Sequence, residues 1–243
     1  MRLRIINPNT SAAMTASIGR CAAEVASPGW RVEAVNPTMG PASIESHYDE
    51  ALAVPGLLTE VRRGVTEGVD GFVVACFGDP GLDAARESAD GRPVVGIAQA
   101  AMHMASLVGR TFGVVTTLER TVGTAWDLVR RYGFERSCLE IVACEIPVLD
   151  LDEDDPGPVL EASADLVARR GVDALVLGCA GMAAMARVIS AKVGVPVVDG
   201  VAAATTLVEA MVRCGVGGAT TGEYAPPPAK PYTGLLAGFA LPG

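Results

Sequence analysis

Two cysteines in equivalent sequence contexts are the residues of this chain whose type and spacing could do chemistry. Cys76 lies in the apolar segment 74–78 and Cys179 in 177–181, and in both the second residue after the cysteine is glycine. Each segment predicts a buried strand that delivers a thiol into a loop. A thiolate and a thiol on opposite faces of a carbon can remove a proton from one face and return one to the other.

The two cysteines belong to an internal repeat. Cys179 follows Cys76 by 103 positions (179 − 76), and no insertion is needed along the matching span. The repeat indicates two related halves that each contribute one cysteine from an equivalent place. The same offset pairs Asp70 with Asp173, Gly78 with Gly181, Gly91 with Gly194, Pro-Val-Val at 93–95 with 196–198, and Ala-Ala at 100–101 with 203–204.

Alternating strands and helices must position these cysteines. Four short apolar runs per half alternate with helical segments, which predicts an α/β fold with a four-stranded parallel sheet, flanked by helices, in each half. Ligands of such sheets bind beyond the carboxyl ends of the strands. Asn7, Asn9, Thr116 and Thr117 fall on that edge together with the cysteines.

The predicted domain boundaries follow from the repeat. Residues 1–97 with 200–217 form the first lobe, residues 98–199 form the second, and residues 218–243 form an irregular, proline-containing arm. The arm is either disordered or packed on a neighbouring subunit. After Cys179, the pattern predicts a single helix over residues 182–192.

The loops after the two cysteines are expected to tune the thiols. Their peptide N–H groups, each opening a helix, are predicted to lower the thiol pKa and to cradle a developing oxyanion. Gly78 and Gly181 permit the backbone to approach a ligand closely, while the Asn and Thr side chains supply neutral hydrogen bonds.

Composition excludes several classes of function. The chain of 243 residues carries a formal net charge of −9 without a Lys/Arg cluster, which argues against a nucleic-acid or membrane partner. No signal peptide or apolar run long enough to cross a bilayer is recognisable, so a soluble cytoplasmic protein is expected. Six irregularly spaced cysteines and two histidines form neither a disulfide framework nor a metal site.

Two other interpretations remain open from the residues alone. A single nucleophilic cysteine would need a histidine partner, and neither His47 nor His103 lies in a predicted strand-end loop. His103, in an Ala-rich helix, is expected to be structural and part-buried. Alternatively, both thiols are core residues of a duplicated fold that binds a small molecule without catalysis.

Four segments carry a resemblance to the hydantoin racemases of the aspartate/glutamate racemase superfamily: residues 6–11, 75–82, 114–117 and 177–182. The likeness extends from about Arg2 to Cys214. It implies cofactor-independent interconversion of D- and L-5-monosubstituted hydantoins, with Cys76 and Cys179 as the two bases. It also implies two flavodoxin-like lobes with the active site between them, commonly in a homo-oligomer (dimer, tetramer or hexamer).

The residues after each cysteine bear on the substrate. Amino-acid racemases of the superfamily typically have Asn-Thr after the first cysteine and Thr-His after the second, whereas here Phe77-Gly78 and Ala180-Gly181 occupy those places. A flatter, less polar pocket suits a small neutral cyclic ureide. Allantoin racemase fits almost as well, because allantoin is itself a 5-substituted hydantoin. An amino-acid racemase or a maleate isomerase is a more distant alternative, and arylmalonate decarboxylases use a single cysteine.

Overall fold

The computed structural model describes residues 1–152 and 154–240, in which eight strands alternate with eight α-helices. The strands are β1 (Arg2–Ile6), β2 (Arg31–Val35), β3 (Gly71–Val74), β4 (Val94–Gly96), β5 (Phe112–Thr116), β6 (Cys138–Ala143), β7 (Ala174–Leu177) and β8 (Val197–Asp199). The helices are α1 (Ala12–Val25), α2 (His47–Thr66), α3 (Leu82–Ser88), α4 (Ile97–Val108), α5 (Glu119–Arg131), α6 (Gly157–Arg170), α7 (Ala186–Val193) and α8 (Gly200–Arg213).

Both halves build the same parallel sheet, which confirms the predicted α/β fold class. The strand order is β2-β1-β3-β4 in the first sheet and β6-β5-β7-β8 in the second. The offset of the repeat carries β3 onto β7 and β4 onto β8 at both ends of each strand. The sequence repeat is therefore also a repeat of structure.

One apolar core joins the two halves. Helices α1 and α8 pack on the first sheet, α4 and α5 pack on the second, and α4 packs against α8 between them. Buried side chains from both sheets meet there, among them Leu3, Val73, Phe112 and Val176. Helices α2 and α3 cover the outer face of the first sheet, and α6 and α7 cover that of the second. Burial on both faces explains the continuous Val, Ile and Leu runs of the strands.

The segment after Cys179 differs from the predicted helix over 182–192. A 3₁₀ helix spans Ala180–Met185, and the α-helix begins only at Ala186. The first turn is tight because its small residues, Ala180, Gly181 and Ala183, lie among buried neighbours from α1 and α8. Packing against other elements, which periodicity does not report, decided this conformation.

The C-terminal arm, described here as residues 218–240, runs over the first lobe of its own chain. It is irregular apart from two short 3₁₀ helices, Gly222–Tyr224 and Gly234–Phe239. The Gly218 N–H donates to the Gly91 carbonyl at 2.8 Å, and the Tyr224 hydroxyl donates to Asp83 at 3.0 Å. Among the described helices, none combines the length and the apolar character needed to cross a membrane.

Candidate active site

Both cysteines line one cleft between the two sheets. Cys76 follows β3, Cys179 follows β7, and the cleft lies at the carboxyl edge of these strands. The site residues predicted from the sequence line this cleft with one exception, Gly181: they are Asn7, Asn9, Cys76, Phe77, Gly78, Thr116, Thr117, Cys179 and Ala180. The fold thus brings together side chains from both halves of the repeat.

The peptide N–H groups of the two loops point at the sulfurs as expected, but they do not determine the thiol pKa. Burial raises the pKa of Cys179 to about 11, and the N–H of Gly181 lowers it only in part. Burial likewise raises the pKa of Cys76, against the N–H of Gly78. The N–H groups therefore act in the predicted direction, but the net thiol pKa is raised, since desolvation of the thiolate outweighs the backbone dipoles.

Asn7 and Asn9 lie in the loop that follows β1 and are both buried, but their side-chain amides make different hydrogen bonds. The Asn7 Nδ2 group donates to Asn9 Oδ1 at 2.7 Å and to the Thr15 hydroxyl at 3.0 Å, so its amide holds the loop together. The Asn9 Nδ2 group has only the Met14 sulfur, at 3.3 Å, as a partner among the described residues. Asn9 is therefore the better placed of the two to donate to a ligand.

The two threonines at the end of β5 also differ in role: one hydroxyl is used within the protein and the other is available to a ligand. The Thr116 hydroxyl lies 2.9 Å from the Thr121 hydroxyl and 3.4 Å from the Gly178 carbonyl oxygen, which ties β5 to the loop that precedes Cys179. The Thr117 hydroxyl has no hydrogen-bond partner within the described part of the chain, although Thr117 is buried in the cleft. Thr117 can therefore present a neutral donor or acceptor to a ligand.

Each glycine after a cysteine is enclosed by its neighbours. A Cβ at Gly78 would overlap the carboxyl group of Glu50, and a Cβ at Gly181 would lie 3.0 Å from Leu151 and 3.7 Å from the Cys179 sulfur. Gly181 faces the adjoining groove along α1 rather than the cleft itself. Its contribution to the site is the N–H group directed at Cys179.

The cleft also contains residues that the sequence analysis did not identify. Glu45, Ser46 and Glu50 enter it from the start of α2, where the Ser46 hydroxyl caps the helix by accepting the Asp49 N–H at 3.2 Å. The available signal was the long loop over 36–44, of a length typical of ligand-closing loops, followed by this cap. The remaining residues of the wall are Met14, Ile44, Ala75, Thr121, Thr124, Ala125, Val148 and Gly178.

A buried carboxyl group fixes the loop that carries Cys76. Asp79 accepts the N–H groups of Ala98 and Gln99 at 3.1 and 3.0 Å, at the first turn of α4. It also accepts the Tyr132 hydroxyl, at the end of α5, at 2.7 Å. Burial raises the pKa of Asp79 to about 6, against these hydrogen bonds. The first cysteine loop is thereby tied to the second lobe.

The histidines lie outside the cleft wall. His47 is largely exposed at the start of α2, with its Nδ1 3.7 Å from the Glu50 carboxyl group. His103 is exposed rather than part-buried as expected, and its ring meets Phe134 edge-on. Over residues 1–152 and 154–240, no three His, Cys, Asp or Glu side chains group in a way that could hold a metal ion.

Comparisons with known proteins agree with this geometry. A family model described as Asp/Glu/Hydantoin racemase matches residues 3–208. The chain is 45% identical to a hydantoin racemase of Rhizobium meliloti over 237 residues, which cover 96% of this chain and 98% of the relative. It is 42% identical to a hydantoin racemase of Pseudomonas sp. (strain NS671), covering 98% of this chain and 97% of the relative. A solved allantoin racemase from Klebsiella pneumoniae superposes with a TM-score of 0.95 at 44% identity, covering 99% of both chains.

Proposed function

This chain belongs to the Asp/Glu/hydantoin racemase family, and on that premise we propose a two-base mechanism in which Cys76 and Cys179 invert C5 of the substrate. The protein is a racemase, and the substrates that suit it best are 5-monosubstituted hydantoins. The observation that carries the mechanism is that equivalent ends of β3 and β7 place one thiol each on the same cleft. Two such thiols can exchange roles with substrate handedness, because their intrinsic pKa values are the same.

The proposed reaction is a proton exchange at C5. One sulfur, as thiolate, takes the C5 proton, and the electron pair of the broken C–H bond passes into the adjacent ring carbonyl as an enolate. The other sulfur, as thiol, gives its proton to the opposite face of C5 and becomes the thiolate. Atoms and charge balance within the substrate and the two side chains, so the proposal requires neither a metal nor an organic cofactor.

Neutral donors in the cleft suit a neutral ring. The Asn9 amide and the Thr117 hydroxyl are available to the ring carbonyls, and the N–H groups of the cysteine loops favour the anionic forms of sulfur and enolate. The ring carbonyl next to C5 acidifies the carbon to be inverted, which reduces what the protein must supply. A small neutral cyclic ureide is therefore the proposed ligand.

Racemisation of allantoin is the second candidate function. It is favoured by the likeness to the allantoin racemase structure from Klebsiella pneumoniae, whose identity to this chain equals that of the hydantoin racemases within a few per cent. Allantoin carries a ureido group at C5 of the same ring, so the two candidates share the mechanism and differ in the substituent. We further propose a cytoplasmic homo-oligomer that has no nucleic-acid or membrane partner, in keeping with the net charge of −9.

The first experiment follows optically pure D and L forms of 5-benzylhydantoin, 5-isopropylhydantoin and allantoin by polarimetry in D₂O with a chelator present. We expect loss of rotation from both enantiomers and one solvent deuteron at C5 of the product. The ratio of kcat/KM values ranks the substituents. A folded protein that changes none of the three would contradict the proposed function.

Replacement of either thiol tests the two bases. We expect Cys76→Ala and Cys179→Ala each to lower the racemisation rate by at least about a thousandfold, since proton transfer has no second route on that face. Circular dichroism checks the fold, and Cys214→Ala, which alters an exposed cysteine outside the cleft, is the matched control. Retained activity in both single variants would sink the two-base mechanism.

A further inference from the structure

Glu50 is a carboxyl group in the cleft that proton exchange at C5 does not use. It lies in the first turn of α2, its side chain is 24% exposed, and it packs against Gly78 in the loop that carries Cys76. Burial raises its pKa. Its negative charge also raises the pKa of the Cys76 thiol, so its presence opposes formation of the thiolate. Because Glu50 makes the Cys76 thiolate harder to form, we expect its carboxyl group to make an interaction that compensates for this effect.

The protein itself supplies little compensation. Among the described residues, the polar partner of Glu50 is the exposed ring of His47, whose Nδ1 lies 3.7 Å from Oε2. This long contact lowers the pKa of Glu50 only in part, against burial. Glu45, the other carboxyl group of the cleft, differs in this respect, because its Oε1 accepts the Val148 N–H at 2.6 Å. Apart from the long contact with His47, the Glu50 oxygens face the cleft without an N–H or O–H donor among the described residues.

We propose that Glu50 accepts a hydrogen bond from an N–H group of the substrate and thereby selects ureides over rings that lack such a donor. This inference rests on the proposed function and assigns to Glu50 the recognition of the substrate. A carboxylate only accepts hydrogen bonds, and its bonds to N–H donors are the stronger, charge-assisted kind. The amide of Asn9 and the hydroxyl of Thr117, which are also available to a ligand in the cleft, are neutral.

The ureide N–H group has two possible sources. Every hydantoin offers the two N–H groups of its ring, whereas allantoin adds those of its ureido substituent. The chemistry of recognition is the same in both cases. Substrates that carry one source, both or neither therefore separate them.

The test measures kcat and KM for wild type, Glu50→Gln and Glu50→Ala. The substrates are 5-isopropylhydantoin, its 1,3-dimethyl derivative and allantoin. Glu161→Ala, which removes an exposed carboxyl group from α6, is the matched control. Glu50→Gln preserves shape and one acceptor oxygen, so it keeps the test valid if Glu50→Ala folds poorly. Thermal unfolding of each variant accompanies the kinetics.

For Glu50→Ala we expect kcat/KM to fall about tenfold or more, mainly through KM, with a smaller loss for Glu50→Gln. For the dimethyl derivative, which has no N–H donor, the variants should show no loss of kcat/KM, because removing the Glu50 charge can only favour the Cys76 thiolate. A loss on both N–H substrates identifies the ring as the source, and a loss on allantoin alone identifies the substituent.

Two outcomes overturn the inference. Unchanged kcat/KM on both N–H substrates means that Glu50 does not bind them, and an equal loss on the dimethyl derivative assigns Glu50 a structural role only. Wild-type protein that racemises none of the three substrates is a different result, because it refutes the proposed function itself.

Discussion

At the residue scale, the two thiols are suited to their proposed role by symmetry rather than by high acidity. Burial raises the pKa of both, and the N–H groups of Gly78 and Gly181 oppose it only in part. A thiol of high pKa is a scarce thiolate at neutral pH but a strong base once ionised. Burial in the cleft therefore lowers the fraction of thiolate at neutral pH and raises the basicity of each thiolate.

The thiol pKa predicts how the rate depends on pH. The reaction needs one ionised sulfur, and the pKa of Cys179 is about 11, so the active fraction grows as pH rises towards that value. We expect kcat/KM to increase between pH 7 and pH 9 by up to about tenfold per pH unit. The measurement is initial racemisation rate against pH, with the rate of an enzyme-free blank subtracted at each point. A rate independent of pH over this interval would contradict the assignment of a part-buried thiol of raised pKa as the base.

At the scale of elements, the two halves cap equivalent helices, α4 and α8, with aspartate side chains from different positions in the repeat. In the second half, Asp199 caps α8 by accepting the Val201 and Ala202 N–H groups, each at 2.9 Å. Its counterpart in the first half is Gly96, where a Cβ would overlap the Asp79 carboxyl group. Asp79 takes over the cap of α4 from within the cysteine loop, where the second half has Met182. Among the described residues, a carboxyl group therefore holds the first cysteine loop but not the second.

Asp79 makes the stability of the protein depend on pH in a defined direction. Its folded-state pKa of about 6 lies above the ordinary value of 3.8, so the folded state binds the proton more tightly than the unfolded state. This contribution is fully present below about pH 3.8 and is lost as pH rises through about 6. Its size is on the order of 3 kcal/mol. Asp79→Asn should abolish it.

The measurement is the free energy of unfolding in urea from pH 4 to pH 8. We expect the free energy of unfolding of wild type, relative to that of Asp79→Asn, to decrease as pH rises through about 6 and then to level off. Tyr132→Phe is the informative control, because the Tyr132 hydroxyl lowers the pKa of Asp79 and its loss should move the transition to higher pH. A difference that does not vary with pH would refute the role of Asp79.

At the scale of the whole molecule, the C-terminal arm covers the outside of the first lobe without reaching the cleft. Side chains of Pro227, Tyr232 and Phe239 face Pro55 and Leu58 of α2 across a shared cavity. Leu235 of the arm and Tyr48 of α2 remain exposed.

Ending the chain at Gly217 should separate stability from catalysis. We expect the melting temperature to fall by about 5 °C because apolar surface on α2 becomes exposed, while kcat/KM stays within about twofold. Differential scanning calorimetry and the polarimetric assay provide the two readouts. For the full chain, light scattering should give a mass of at least twice 24.9 kDa, as the proposed homo-oligomer requires. A truncated chain that keeps its melting temperature but loses activity would contradict this division of roles.

The sequence alone was sufficient to predict the framework of the site. Buried strands appear as continuous apolar runs, which predicted the α/β class. The constant 103-residue offset of the repeat placed Cys76 and Cys179 at equivalent strand ends, which predicted that they act as a pair. The carboxyl edge of a parallel sheet then collected Asn9 and Thr117. The domain boundaries stay a prediction that depends on the same repeat.

The tertiary structure decided what depends on contacts between distant segments. The high thiol pKa follows from burial between the two halves, and Asp79 meets Tyr132 across their interface. Glu50 enters the cleft from the start of α2, where the preceding long loop indicated a ligand but not which side chain reaches it. The 3₁₀ turn after Cys179 likewise reflects packing against α1 and α8. Periodicity reports which face of an element is buried, whereas desolvation, charge and hydrogen bonding at a site depend on the neighbours that burial brings.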